Sequence, residues 1–176
     1  RLFAGNCVIQ PPEIRHKVLY ASDNIEVIEI GVPAEHVTTI DHDMELPTKE
    51  FNPEREFSGQ KFVHNKADEA KWSDFRIPGF TCRDTTIAKN TKNVAGVQVI
   101  RPNGEAIKPT KHDCDILFNF VMEGKMTLAA DGQPTNKLTA GDAFVIPPNL
   151  MTVYSNISKD LELLEVSLPG VFKTNY

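Results

Sequence analysis

The sequence has no stripe of basic residues, and its formal net charge is −5. Phosphate binding needs clustered Lys and Arg, so this charge argues against a nucleic-acid partner. No apolar run approaches the roughly 18 residues that cross a bilayer, so we expect no membrane partner. The three cysteines form no C-x-x-C pair, which favours a cytoplasmic location over a disulfide-linked secreted scaffold.

Stretches with helical periodicity are also scarce, and the best candidate is a brief turn around Lys66–Trp72. The sequence instead has a series of short alternating or apolar runs, separated by turn residues such as Asn103-Gly104 and Asp131-Gly132. This pattern predicts an all-β sandwich or barrel. The runs are Asn6–Gln10, His16–Tyr20, Ile25–Val32, Val94–Ile100, Ile116–Met122, Lys125–Ala130, Ala143–Ile146 and Leu161–Leu168.

An internal repeat is the most informative feature of the sequence. Residues 1–33 align without a gap on residues 137–169, at a constant offset of 136. Pro11-Pro12 falls on Pro147-Pro148, and the apolar and acidic pattern that follows is matched position by position. The repeat predicts that one module of strands and turns occurs twice.

The two modules differ in what precedes them. Strand-like sequence leads into the second module, whereas the first module begins at residue 1. We therefore expect residues 1–42 to form the C-terminal half of a first barrel, residues 43–75 a polar connection, and residues 76–176 a complete second barrel. Half an antiparallel barrel leaves unpaired edges, so we expect an upstream extension or a second chain to supply the missing strands.

Three segments resemble the sequence motifs of the cupin superfamily. Gly141–Thr152, with Asn156, resembles the second cupin motif, G-x5-P-x-G-x2-H-x3-N, and Gly5–His16 resembles it too. The segment Gly104–Gly124 looks like the first cupin motif, G-x5-H-x-H-x3-4-E-x6-G. The resemblance implies a double-stranded β-helix, or jelly-roll, barrel, and together with the repeat it implies a bicupin. One such barrel hosts many chemistries, so function has to be argued from the site.

In the first module, His16 is a candidate metal ligand. Strand alternation places His16, Val18 and Tyr20 on one face, which we expect to point into the barrel. The resemblance puts His16 where metal-binding cupins carry their last histidine ligand, and a neutral imidazole suits Fe, Mn, Ni or Zn. Its partners, two His and a Glu, would lie upstream of Arg1. The alternative is a hydrogen-bonded core histidine.

The second barrel departs from the metal-binding pattern. Leu117 stands where the motif has its Glu, and two threonines and His112 stand where it has its histidines. A metal needs three or four converging donors, so we expect no metal here. A few polar groups would then line an apolar interior, which suits a small organic ligand, unless they satisfy one another in a filled core. The residues predicted to line it are Thr110, His112, Asn119, Thr152 and Tyr154.

These observations leave several functions open. We interpret the chain as a metal-dependent enzyme, dioxygenase-like or related, that acts on a small organic acid or aromatic through its first barrel. The alternative is a small-molecule-binding or structural cupin without a metal. A third possibility is a metal-free isomerase with His112 as acid–base and Tyr154 as the second titrating group. We assign no catalytic residue, and we expect a homodimer because cupin barrels commonly pair.

Overall fold

The structure is a computed structural model that describes residues 1–43, 45, 48–50, 52–104 and 107–176. Almost all of its regular structure is β, as predicted. The strands are β1 (Cys7–Ile9), β2 (Glu56–Phe57), β3 (Gln60–Lys61), β4 (Val63–Asn65), β5 (Trp72–Asp74), β6 (Phe80–Asp84), β7 (Gly96–Pro102), β8 (Lys111–His112), β9 (Ile116–Glu123), β10 (Lys125–Ala130), β11 (Asn136–Thr139), β12 (Ala143–Ile146), β13 (Thr152–Ser155), β14 (Glu162–Leu168) and β15 (Thr174–Asn175). A 3₁₀ turn at Ala67–Glu69 lies within the predicted turn, and a short helix, α1, spans Ile87–Asn90. Neither helix is long and apolar enough to span a membrane, and this holds for every helix in the described part of the chain.

Two antiparallel sheets enclose the core. The larger has six strands in the order β12-β9-β14-β7-β6-β5, and the smaller has three in the order β11-β10-β13. Alternate residues of β9 are buried, namely Leu117, Asn119 and Val121, because successive side chains of a strand point to opposite faces. The core combines apolar side chains from both sheets: Phe75, Ile77, Phe80, Cys82, Ile100, Leu117, Val121, Met126, Leu128, Ile146, Tyr154, Leu161 and Leu163.

The turns of the second motif explain its spacing. Gly141 has a φ of +94° between β11 and β12, and the Asp142 carboxylate accepts a hydrogen bond of 2.7 Å from the Thr139 N–H. Pro147-Pro148 follows the end of β12. Asn149 stands where the motif has a glycine and adopts a φ of 64°. Asn tolerates this left-handed conformation better than most residues, so the turn forms without the glycine.

The two repeat modules do not fold alike among the described residues. Residues 137–169 contain β11 to β14, whereas within residues 1–33 only β1 is a strand, and it pairs with β4. The predicted strands over His16–Tyr20 and Ile25–Val32 are therefore wrong for this structure. A strand needs a neighbour for its backbone hydrogen bonds, and no other described strand lies beside these segments. The assignment of residues 1–42 to half a barrel stays a prediction.

The segment predicted as a connection contributes to the main sheet. Strand β5 pairs with β6 from Trp72↔Arg83 to Asp74↔Thr81, so the sheet begins before residue 76. Upstream, the side-chain amide of Asn6 contacts His64 Nε2 at 3.0 Å, and its oxygen accepts from the Ala67 N–H at 3.0 Å. These contacts fix residues 5–9 against the segment that leads into the barrel.

Candidate functional site

The five residues predicted to line the second barrel are all buried, with exposed fractions of 0 to 5%. Thr110 and Thr152 bridge each other through backbone hydrogen bonds of 2.8 and 2.9 Å. The Thr152 hydroxyl donates to the Thr110 carbonyl at 3.3 Å. The Thr152 hydroxyl therefore has a partner in the protein's own backbone, and the role of the five residues as ligand contacts stays a prediction.

Asn119 and His112 differ from the threonines because they keep polar atoms without partners. Asn119 is completely buried, and neither its amide nitrogen nor its oxygen has a hydrogen-bond partner. The Nδ1 atom of His112 accepts from the Cys114 N–H at 3.1 Å, so Nε2 carries the proton of the neutral ring, and Nε2 has no partner. Burial lowers the pKa of His112, the Arg76 charge lowers it further, and the nearby backbone of Ile146 acts in the opposite direction.

Tyr154 belongs to an aromatic part of the same interior. Its ring meets Phe80 edge-on at 6.0 Å and Phe144 at 6.4 Å between centroids. Burial raises the pKa of the Tyr154 hydroxyl, and the charge of Glu165 raises it further. The side chain therefore presents a neutral phenol to its surroundings at neutral pH.

A line of polar residues crosses the interior face of the larger sheet. Asn119 on β9 stands opposite Glu165 on β14, Glu165 stands opposite Gln98 on β7, and Gln98 stands opposite Asp84 on β6. Residues directly opposite in an antiparallel pair share a face, with Cβ atoms about 5 Å apart. We call these four residues the polar row. Two amides thus flank a carboxylate that is only 3% exposed.

Arg76 balances the charge of Glu165. Its NH2 group contacts the Glu165 carboxylate, and its NH1 group donates to the Thr174 hydroxyl at 3.1 Å. The guanidinium lies 4.8 Å from the ring centroids of both Phe75 and Phe172. Burial raises the pKa of Glu165, while Arg76 opposes that shift. The Glu165 carboxylate, the Thr174 hydroxyl and the two aromatic rings together hold the guanidinium in place.

A cavity of about 320 Å³ opens beside this pair. Three members of the polar row, Asp84, Gln98 and Glu165, line it together with Arg76. Asn119 lies one strand beyond Glu165. Cys82 also lines the cavity, but burial raises the pKa of its thiol, which therefore stays protonated rather than becoming a nucleophilic thiolate. The chemistry that this arrangement offers is hydrogen bonding and charge complementarity.

Comparison with known proteins identifies the fold. Residues 96–167 match the family model described as the cupin domain. This chain carries a cupin domain. No curated protein matches the sequence.

Several solved structures share the fold of the cupin domain. The polyketide cyclase RemF from Streptomyces resistomycificus is 20% identical, with a TM-score of 0.51, over 61% of this chain and 80% of that chain. A putative ethanolamine utilization protein Q from Salmonella typhimurium is 17% identical, with a TM-score of 0.50, over 62% and 87%. Oxalate decarboxylase from Bacillus subtilis is 16% identical, with a TM-score of 0.50, over 61% and 30%. The neighbours include enzymes, and at these identities the likeness is one of fold. The bicupin arrangement stays a prediction.

The residues at the metal positions of the cupin motifs do not fit a metal. Leu117 is 1% exposed and packs in the core, and His112 offers the one imidazole of the four positions. Among the residues that the structure describes, no group of three or more His, Cys, Asp or Glu side chains is placed to hold an ion. A site with one nitrogen donor does not compensate an ion for its lost water.

His16 lies outside the cupin domain and does not point into a barrel. Its Nδ1 atom contacts the Ile14 carbonyl oxygen at 3.3 Å in an exposed segment. Val18 and Tyr20, which were predicted to share its inward face, are 78% and 84% exposed. The inward orientation is wrong for this structure, because no second sheet covers that face in the described residues. The role of His16 as a metal ligand stays a prediction.

Sequence reasoning missed Arg76, Gln98 and Glu165. The signal for Glu165 was present, because β14 alternates Leu163, Glu165 and Ser167 on the buried face of a largely apolar strand. An acidic residue in that register has to find a partner inside the fold. Its partner, Arg76, is 89 residues away in sequence, and no local pattern indicates it.

Proposed function

We propose that the cupin domain binds a small polar organic molecule in the cavity beside the polar row, through its own side chains. The observation that carries this proposal is the convergence of Gln98, Glu165 and Arg76 on one cavity of about 320 Å³. They present an amide, a carboxylate and a guanidinium, so a polar molecule in the cavity meets both donors and acceptors.

The Arg76–Glu165 pair supports the same function. Its geometry is fixed by Thr174 and by the rings of Phe75 and Phe172 before any ligand arrives. A polar site that is ordered in advance loses less entropy on binding than one that must be assembled. Polar groups converging on a cavity of this size are typical of small-molecule sites.

The metal-dependent enzyme, with His16 as a metal ligand, remains a hypothesis. It predicts that the purified protein contains near-stoichiometric iron, manganese, nickel or zinc, and that His16→Ala removes this metal. The metal-free isomerase would need His112 and Tyr154 on opposite sides of one substrate, and both groups are neutral at neutral pH in this environment. No contact of the described residues favours either reaction over binding. The homodimer and the cytoplasmic location are likewise proposals, the first testable by sedimentation.

The binding function is tested with Gln98→Leu, which removes an amide that lines the cavity while nearly keeping the side-chain volume. We expect a metabolite library screened by NMR to yield molecules that shift the resonances of the polar row. Gln98→Leu should weaken these molecules about tenfold, because it removes a hydrogen-bond donor and an acceptor from the cavity wall. Gln133→Leu, the same change at an exposed position, is the control.

Two results would count against this function. One is unchanged affinity in Gln98→Leu, which would place the ligands elsewhere. The other is a library in which no molecule shifts the polar row, which would support a structural role for the domain.

A further inference from the structure

We propose, independently of the binding function above, that a second copy of this chain docks on the outward face of the six-stranded sheet. Residues directly opposite each other in an antiparallel pair share a face, so the strand register separates inward from outward side chains. Asn119 and Glu165 point inward, and their outward-pointing neighbours are apolar over most of β9, β12 and β14. We call the larger of these outward residues the outer patch: Ile116, Phe118, Phe120, Val145, Leu164 and Val166.

Strand β9 shows how far this face departs from an ordinary solvent-facing one. Its inward side chains include Asn119, whereas its outward side chains include an isoleucine and two phenylalanines. When an antiparallel sheet leaves one face in water, that face is normally polar. Ile116 and Val145 are nevertheless 47% and 57% exposed, so the described part of the chain leaves the outer patch open to solvent. A contiguous exposed apolar surface of this kind marks an interaction site.

The other end of the same face is covered by the chain itself. Arg83 on β6 points outward, opposite Trp72 and Val99, and is only 3% exposed. Its NH2 group donates to the Gly5 carbonyl at 2.7 Å, so the residues around β1 lie over β6. The sheet continues from this covered region through β14 to β9 and β12, where the described residues supply no covering segment.

The size of the open face suits a small interface between two copies. Strands β9 and β14 are 8 and 7 residues long, and β7 and β12 flank them. At a spacing of about 4.8 Å between strands, these four present a flat area of about 400 Å² per copy. The relief of the side chains adds to this area, and specific interfaces begin at about 600 Å² per partner. We therefore expect a dimer that dissociates on dilution.

The charges around the outer patch also favour a second copy. Each copy has a net charge of −5, so two copies associate best through a surface without uncompensated acids. Arg101 and Glu162, at the border of the patch, neutralise each other, with Arg101 Nε 2.6 Å from the Glu162 carboxylate. A surface that is apolar throughout is complementary to itself, as a two-fold interface requires. Two sheets of equal twist pack face to face with their strands about 30° apart.

Sedimentation velocity on the full chain tests this interface. We expect the 19.6 kDa chain to shift toward twice that mass between micromolar and millimolar concentration. Val145→Lys and Ile116→Lys each place a charge in the outer patch, at positions exposed enough for the folded monomer to accept it. Each should weaken the association by at least about tenfold, because the charge is left without a partner in the interface.

Val18→Lys is the matched control. It makes the same change at a valine that is 78% exposed and lies outside the cupin domain, so it should leave the association unchanged. Urea unfolding of the dilute variants, followed by Trp72 fluorescence, establishes that they fold. The polar row lies on the opposite face of the sheet, so ligand shifts there should be the same in all three variants.

A measurement on the unmodified chain makes the test independent of any variant. A soluble gadolinium chelate should broaden the methyl resonances of Val145 and Ile116 in a dilute sample and leave them protected in a concentrated one. A chain that stays monomeric up to millimolar concentration would overturn the proposal, as would a dimer that persists in both patch variants. Loss of the dimer in Val18→Lys would also overturn it, since association would then run through the first module.

Discussion

Replacing Arg76 by methionine should destabilise the cupin domain strongly at neutral pH and much less in acid. The change removes the guanidinium while leaving the Glu165 carboxylate, which is 3% exposed, among the core residues of β7, β9 and β14. Breaking a buried pair from one side costs about 3–5 kcal/mol, because the remaining charge has neither water nor a partner. The loss of the Thr174 hydrogen bond adds to this cost.

The pH dependence follows from the sign of the Glu165 shift. Burial already raises the pKa of Glu165, and removing Arg76 removes the group that opposes the shift. In the unfolded chain, the pKa of a glutamate is about 4.3. Between this pH and the raised pKa of Glu165 in the folded variant, the native state of Arg76→Met binds more protons than the unfolded chain. The variant therefore gains stability as the pH falls toward about 4.3, and its deficit against the parent should narrow.

Urea unfolding at pH 8 and pH 5 measures this directly, with the single tryptophan, Trp72 on β5, as the fluorescent reporter. We expect a deficit of about 3–5 kcal/mol at pH 8 and a smaller one at pH 5. Arg76→Met/Glu165→Met, which leaves no lone charge, should recover most of the loss. A deficit under about 1 kcal/mol at pH 8, or one that does not change with pH, would refute the assignment of a buried, paired carboxylate.

Two further predictions concern the core. His112→Phe should abolish an acid-linked loss of stability: the pKa of His112 is lowered in the folded state, so the parent loses up to about 1.4 kcal/mol per pH unit below about 6.5, where the unfolded chain takes up a proton. The stability of the variant relative to the parent should therefore rise in denaturant unfolding as the pH falls from 7.5 to 5, because Glu165 is present in both and contributes equally. Parallel curves would contradict the prediction. Gly124→Ala should lower the melting temperature much more than Gly132→Ala does. A Cβ at Gly124 would lie 2.7 Å from the Leu161 backbone, whereas a Cβ at Gly132 would have no atom within 4 Å. Equal losses of melting temperature would show that only the positive φ of the two glycines matters.

The fold of the cupin domain was predictable because its signals are local. Gly141-Asp142 and Pro147-Pro148 mark the two ends of β12, and strand alternation alone places Asn119 and Tyr154 inside. The segment Ile25–Val32 has the same alternation and forms no strand. Alternation predicts which face a strand would bury, but a strand also needs a hydrogen-bonded neighbour, and sequence pattern does not supply one.

The candidate site was predictable only in part, for a related reason. His112 and Asn119 follow from register within one motif and its neighbouring strand. Glu165 and Arg76 come together across 89 residues, and the charge of each is tolerable inside only because of the other. Such a pair depends on the three-dimensional arrangement of β14 and the segment before β6, which no window of sequence contains.

The last residues of the chain bear on how the domain is handled in practice. Phe172 and Thr174 contact the guanidinium of Arg76, and the Tyr176 hydroxyl donates to the Arg76 carbonyl at 2.6 Å. Strand β15 is only two residues long and is held by β8. A label or substitution placed within residues 172–176 therefore perturbs the wall of the cavity, so probes for ligand screens are best attached outside this segment.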